Sequence, residues 1–343
     1  MKALMLQEYG KFEYLDVPEP EYGPEEVLIR VKACGICGSD VHGMDGSTGR
    51  RKPPIIMGHE ASGVIQAVGP KVSSWKIGDR VTFDSTVYCG KCFFCSRGQF
   101  NLCDNRMVLG VSCDEYRRHG AFAELVAVPQ HILFKLPEDT TFAQAAMCEA
   151  LSIGVHAVSL PPFEAGSTAL VVGTGMIGLL LIQAARAAGY EKIIAVDVDP
   201  GRLKVALEFG ASVAVPADGR DVADEVVKLT GGRGADFAFE VVGMEKTINV
   251  AIDSLRKGGR LTLVGNLSPK VEVPLQKIVT RQLSLYGSCA SNGEYPTCLD
   301  MIAGKRANVD RLISAVAPLS EGASWFDRLY RKEPGLMKVI LVP

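Results

Sequence analysis

The sequence has no block of charge of one sign, no apolar run long enough to cross a bilayer, no tandem repeat and no low-complexity tract. Lys and Arg total 37 against 39 for Asp and Glu, a formal net charge of −2. Nothing in that balance marks the chain for nucleic acid or an anionic membrane surface. The longest apolar stretch, MIGLLLIQAARAAG, is interrupted by Gln183 and Arg186, well short of the roughly 20 residues that span a bilayer. The opening residues, MKALMLQEYGKFEYLDVPEP, alternate like a strand and lack the apolar core of a signal peptide, which predicts a cytoplasmic protein. The 36 glycines follow no collagen period. What remains is a chain of 343 residues, 47% of them apolar, enough for two ordinary domains.

Ten cysteines stand out in a chain read as cytoplasmic. A reducing compartment discourages disulfides, so metal binding or redox chemistry is the explanation to test.

Residues 25 to 31 (EEVLIRV), 61 to 68 (ASGVIQAV) and 79 to 83 (DRVTF) read as short strands between Gly, Pro and Asp turns, an irregular all-β body. From about residue 152 the texture changes to alternating strands and helices. Six strands are predicted, at 168–172, 192–197, 212–215, 235–241, 260–264 and 283–287, the number in a doubly wound dinucleotide-binding sheet. The tail departs from this pattern, with helices near 294–304 and 320–331 and a closing strand, KVILV, that has no place in that sheet. The working division is a discontinuous first domain, 1–151 with 289–343, and a second domain, 152–288.

Gly173, Gly175 and Gly178 form G-x-G-x-x-G between a buried strand and a helix that opens at Met176 and Ile177. The first glycine permits the tight turn, the second lets a pyrophosphate approach the backbone, and the third lets helix and strand pack closely. The helix N-terminus then faces the phosphates. Asp197 ends the next strand, 19 residues after Gly178. A carboxylate there bonds the adenosine ribose and repels a 2′-phosphate, favouring NAD over NADP. Arg202 follows and is expected to flank the adenosine.

Cys89, Cys92, Cys95 and Cys103 lie in TVYCGKCFFCSRGQFNLC. Four thiolates at this spacing suit a closed structural zinc. An iron–sulfur cluster is the rival, but the fourth cysteine is distant and lacks the following proline. A second set, CGICGSDVH followed by MGHE, offers Cys37, His59 and Glu60. Mixed ligands with an open position are typical of catalytic zinc, although these three residues alone fit a packed turn equally well.

The motifs GICGSDVH, GHEASGVIQAVG, GDRV, the four-cysteine stretch at 85–105, EALSIGVHA and VVGTGMIG together resemble the zinc-dependent medium-chain dehydrogenase/reductase family. Within it the chain looks most like the polyol (sorbitol-type) dehydrogenases. The resemblance implies a GroES-like catalytic domain joined to a Rossmann domain. It implies two zinc ions per chain, one structural and one catalytic, with NAD as cofactor. Cys37, His59 and Glu60 would hold the catalytic zinc, and Glu149 would join them directly or through a water. Asp40 would hold His59, and Ser39 and His42 would relay the proton. The reaction implied is oxidation of a secondary alcohol of a polyol, polyol phosphate or related sugar derivative to the ketone. The resemblance also implies a homodimer or homotetramer.

Two departures bear on the substrate. Gly43-Met44 and Cys289-Ala290-Ser291 stand where sorbitol-type enzymes carry an aromatic pair and a Phe-Arg-Tyr run, so the arginine that would bond a polyol hydroxyl is absent. Basic residues cluster at Arg50, Arg51 and Lys52 and at Arg117, Arg118 and His119. These read as solvated loop charges or interface contacts, or as a clamp for phosphate or carboxylate. Asn292, Glu294 and Tyr295 are further candidates for bonding hydroxyls. Cys34, Cys113 and Cys298 are assigned to packing. L-Threonine 3-dehydrogenase and vicinal-diol dehydrogenase activities share most of these motifs. A non-catalytic NAD- and zinc-binding protein and a zinc-lobe nucleic-acid binder are the readings outside enzymes, the latter opposed by a lobe whose cations are Lys91 and Arg97.

Overall fold

The computed structural model describes residues 1–113, 116–219 and 221–343; the side chains of Cys113, Tyr116 and Arg117 fall outside it. The chain divides into two compact units, Met1–Glu149 with Ser291–Pro343, and Ala150–Ala290. No helix is long and apolar enough to cross a membrane among the described residues.

In the first unit a mixed sheet runs in the order Leu133–Lys135, Arg80–Phe83, Glu60–Val68, Glu26–Gly35, Lys338–Val342, Ile313–Pro318. Leu125–Pro129 also pairs with Glu26–Gly35. Along that central strand Arg30 and Lys32 are exposed while Ile29, Val31 and Ala33 are buried, the two-residue alternation of a sheet with one wet face. The closing strand KVILV pairs antiparallel with the central strand, at Gly35 and Cys34, and parallel with Ile313–Pro318. That last strand is absent from the sequence reading. Its alternating burial and terminal proline mark a sheet edge, where propensity is weak and pairing decides.

Three strand ends converge in this sheet: Gly35 stands opposite Glu60 and opposite Ile340, two residues past Lys338. The chain then enters a short helix, Gly38–Gly43, with Cys37 as its N-cap. Ile36 donates its backbone N–H to Val339 at 2.9 Å, anchoring the start of this turn.

The second unit holds a six-stranded parallel sheet in the order Val213–Pro216, Lys192–Asp197, Thr168–Val172, Ala235–Glu240, Leu255–Leu263, Ser284–Gly287. In chain order this is 3-2-1-4-5-6, the dinucleotide-binding arrangement. Ala169 to Val172 and Ile193 to Val196 are all buried, as expected of strands covered on both faces. The fifth strand starts at Leu255, earlier than the sequence predicts, because Leu255 already pairs with Ala235 before a register shift. The helix Met176–Ala188 ends at Gly189 in the left-handed region, φ +96°, the usual glycine stop.

Candidate active site

Ligand atoms of Cys37, His59 and Glu60 all lie within 4.8 Å of one another. Cys37 comes from the helix cap, and His59 and Glu60 from the entry to the strand Glu60–Val68. Gly58 makes that entry possible: its φ is +96°, and a β-carbon would meet the Phe122 amide nitrogen at 2.8 Å. Gly35 clears space for the ligand itself, since a β-carbon there would sit 2.3 Å from Glu60 Oε2.

Behind these three residues lies a buried shell of charge. Asp40, wholly buried, places Oδ2 3.4 Å from His59 Nδ1. Burial alone would push the Asp40 carboxyl up, but His59 and Arg51 outweigh it and hold the group well below the usual carboxylate range. Burial pulls His59 down, whereas Asp40 and Cys37 push it well above its ordinary value. Asp40 and Cys37 thus favour positive charge at the imidazole ring, and the three residues fit a metal cation. Glu60 is paired with the ammonium of Lys338, which also donates to Ile36 O at 3.0 Å. Lys338 is 2% exposed. Sequence reasoning missed its part here; the available signal was one cation in an otherwise apolar closing strand.

Ser39 is exposed, and its hydroxyl lies 3.2 Å from Cys37 Sγ. His42 is exposed in the last turn of the same helix. Glu149, at the start of the helix Cys148–Ser159, is not among the three clustered ligands. Its carboxyl is pushed up to about 7, first by burial and then by Glu60 and Asp84, against His59 and Lys338.

The residues of the basic loops differ from one another. Arg51 is 2% exposed and bonds Asp40, so it is neither a solvated charge nor a free clamp. Arg118 pairs with Glu26 and donates to Ala127 O at 3.0 Å. His119 Nδ1 accepts from the Ile56 amide at 3.1 Å. Arg50 is exposed, and the Arg117 side chain lies outside the described residues. Of the hydroxyl-binding candidates, Asn292 Oδ1 accepts from the Phe100 amide at 2.7 Å and Glu294 accepts from the Asn292 amide. Tyr295 is fully buried against Phe134. These contacts build the lobe and the core instead.

Cys89, Cys92, Cys95 and Cys103 also gather within 4.8 Å. Backbone amides of Cys89 and Asn105 each point at Cys103 Sγ at 3.3 Å, and that of Cys95 points at Cys92 Sγ at 3.5 Å. Backbone N–H groups of Lys91 and Cys92 help pull the Cys89 thiol down to about 6. Burial and the neighbouring thiols push Cys95 up to about 12. Four crowded sulfurs of this kind shed their protons together only around a cation, and the set fits a structural zinc.

In the second unit a β-carbon on Gly178 would lie 1.9 Å from Gly173 O, and Gly173 has φ +95°. Nothing stands within 4 Å of the β-position of Gly175. This is open backbone, and the helix behind it has no side-chain cap. Its first N–H groups are free for an anion, so the cradle fits a pyrophosphate. Asp197 Oδ2 accepts from the Thr174 amide at 2.6 Å and hydroxyl at 3.0 Å, and Oδ1 accepts from the Asp199 amide at 2.9 Å. Thr174 is a further residue missed from sequence. Arg202 makes a loose 3.7 Å ion pair with Asp199.

A discontinuous β-rich unit with two side-chain clusters that could hold a metal ion, and a second unit with a dinucleotide-binding sheet, are the parts of a zinc-binding dehydrogenase. The comparisons agree. Residues 23–138 match the alcohol dehydrogenase GroES-like domain and residues 177–304 the zinc-binding dehydrogenase domain. Sorbitol dehydrogenase of Bacillus subtilis (strain 168) is 32% identical over 100% of this chain and 97% of its own length. L-Idonate 5-dehydrogenase of Vitis vinifera is 36% identical over 86% of this chain and 81% of its own. A solved structure described as a zinc-binding dehydrogenase of Sinorhizobium meliloti 1021, bound to NADP, superposes with a TM-score of 0.91 at 32% identity, covering 100% and 99% of the two chains. The chain belongs to the zinc-dependent medium-chain dehydrogenase/reductase family, in its polyol branch, and is an oxidoreductase acting on a CH–OH group.

Proposed function

We propose that the protein oxidises a secondary alcohol of a polyol or related sugar derivative to the ketone, with NAD as hydride acceptor and a zinc ion on Cys37, His59 and Glu60. The observation that carries this reading is the meeting of those three ligand atoms within 4.8 Å, beside the Ser39 hydroxyl. Zinc supplies Lewis-acid polarisation of the substrate hydroxyl, lowering its pKa toward neutrality.

The chain's own residues do the rest. Asp40 fixes the orientation of His59, and Lys338 balances the charge of Glu60. Ser39 takes the substrate proton and exposed His42 returns it to solvent. Glu149, outside the ligand cluster, would hold a water at the open position. The four-cysteine lobe carries the structural zinc. Gly173, Gly175, Met176, Ile177 and Gly178 cradle the pyrophosphate, and Asp197 selects NAD by bonding the ribose.

Arg51 and Arg118 are already paired. This leaves neither arginine free to clamp a phosphate or a carboxylate and favours a neutral polyol. The test is NADH formation by the zinc-loaded protein on free polyols, sugar acids, polyol phosphates, vicinal diols and threonine, each with a chelator control. Chelator-sensitive turnover of free polyols is expected. Turnover of threonine alone selects threonine dehydrogenation instead, and silence on every alcohol with NAD bound overturns the proposal.

The assembly we propose is a homo-oligomer joined at the edge strand Ser284–Gly287. Leu285 on that strand is 37% exposed, and Leu275 and Val279 on the helix Leu275–Thr280 are each 68% exposed.

A further inference from the structure

Arg51 is 2% exposed, in a segment whose composition suggests a solvated loop. A buried guanidinium is costly unless its donors are met, and the partners of this one are informative. Nε and Nη2 both donate to Asp40 Oδ1, at 3.0 and 2.6 Å. Nη2 also donates to Ser39 Oγ at 3.1 Å. Nη1 reaches Arg50 O at 3.4 Å. One planar group therefore touches the carboxylate that faces His59 and the hydroxyl that faces Cys37. Gly43 completes the seat, since a β-carbon there would come within 2.7 Å of Arg51 Cγ.

We infer that Arg51 is a positioning residue that holds the zinc-orienting carboxylate and the proton-accepting hydroxyl in one geometry; this rests on the dehydrogenase reading above. Its two bonds to Oδ1 leave Oδ2 as the oxygen presented to His59 Nδ1. Its bond to Ser39 Oγ occupies a lone pair and directs the hydroxyl hydrogen toward Cys37 Sγ, 3.2 Å away. Charge alone does not reproduce this, because the task needs a rigid fork spanning two acceptors. Lysine offers an equal charge on a flexible stem without that fork.

The test uses the full chain loaded with zinc. Zinc release to a chromogenic chelator is followed without substrate, beside kcat, KM and NADH affinity. In Arg51→Gln the catalytic zinc is expected to leave about 10- to 100-fold faster, the scale found when a residue supporting a metal ligand is lost. NADH affinity should not change. In Arg51→Lys zinc release should stay within about threefold of the parent while kcat falls about tenfold at unchanged KM. In a Ser39→Ala background the Lys substitution should cost no further kcat, the non-additivity of residues acting through one another. Parent-like zinc release and kcat in Arg51→Lys overturns the inference, as does a full further loss in the Ser39→Ala background. Should Arg51→Gln fail to fold, Arg51→Lys decides; failure of both to fold also overturns it, Arg51 then being a structural ion pair only. The zinc-release arm needs no turnover, so an inactive parent with the expected release pattern sinks the dehydrogenase reading and leaves the His59 half of the inference standing.

Discussion

The chemistry of this site rests on charges that water does not reach. Lys338 and Glu60 are 3% and 1% exposed at their side chains. Replacing one member of such a pair strands the other, a loss of about 3–5 kcal/mol. Lys338→Met should therefore lower thermal stability sharply, and Lys338→Arg should recover much of it; a Lys338→Met protein as stable as the parent would show that the pair is not buried in solution. Glu149 gives a pH signature in the zinc-free protein. Its carboxyl is pushed up to about 7, so between its ordinary range and 7 the folded state holds a proton that the unfolded state has lost. The contribution is present at low pH and disappears as pH rises through about 7, an amount of order 2–3 kcal/mol. Melting of zinc-free protein from pH 5 to pH 8 should show a fall that Glu149→Gln removes. A fall that persists in Glu149→Gln belongs to another group.

At the scale of the element, the two candidate metal clusters sit on different kinds of support. Cys37 caps a helix that follows a central strand, with its partners on the neighbouring strand. The four-cysteine lobe is held by its own turns and by Asn292. Cys37→Ser should abolish turnover while leaving melting temperature and NADH binding near those of the parent. Cys95→Ser should chiefly lower melting temperature or assembly. Equal loss of folding in both variants counts against this division. The same contrast explains what the sequence discloses. The Gly173, Gly175, Gly178 turn and the cysteine spacing are legible because the physical demand is local, a 1.9 Å overlap or a set of sulfurs a few residues apart. Arg51 and Lys338 are not. Lys338 meets Glu60 across 278 residues, and no periodicity reports that a cation is buried by so remote a partner. The edge strand Ile313–Pro318 escapes for the same reason, since the strand Lys338–Val342 that completes it follows only after an intervening helix.

At the scale of the whole molecule, the parallel sheet ends on an open strand. Ser284–Gly287 pairs only with Leu255–Leu263 among the described residues, leaving its outer edge without a partner strand there. Edges of this kind invite a second copy unless blocked by charge or proline, and SLYG carries neither. Leu275 and Val279 stand one helical turn apart at 68% exposure each, adding apolar surface that a lone chain leaves in water. Two copies of one edge make an isologous, self-limiting contact, so a dimer is the simplest closed assembly. Leu285→Lys places a charge on that edge. It should convert the oligomer to a species of about half the mass or less by light scattering, with zinc content unchanged. If the mass does not move, either this edge is solvated and the oligomer forms elsewhere, or the parent is already a monomer; the mass of the parent distinguishes these two results.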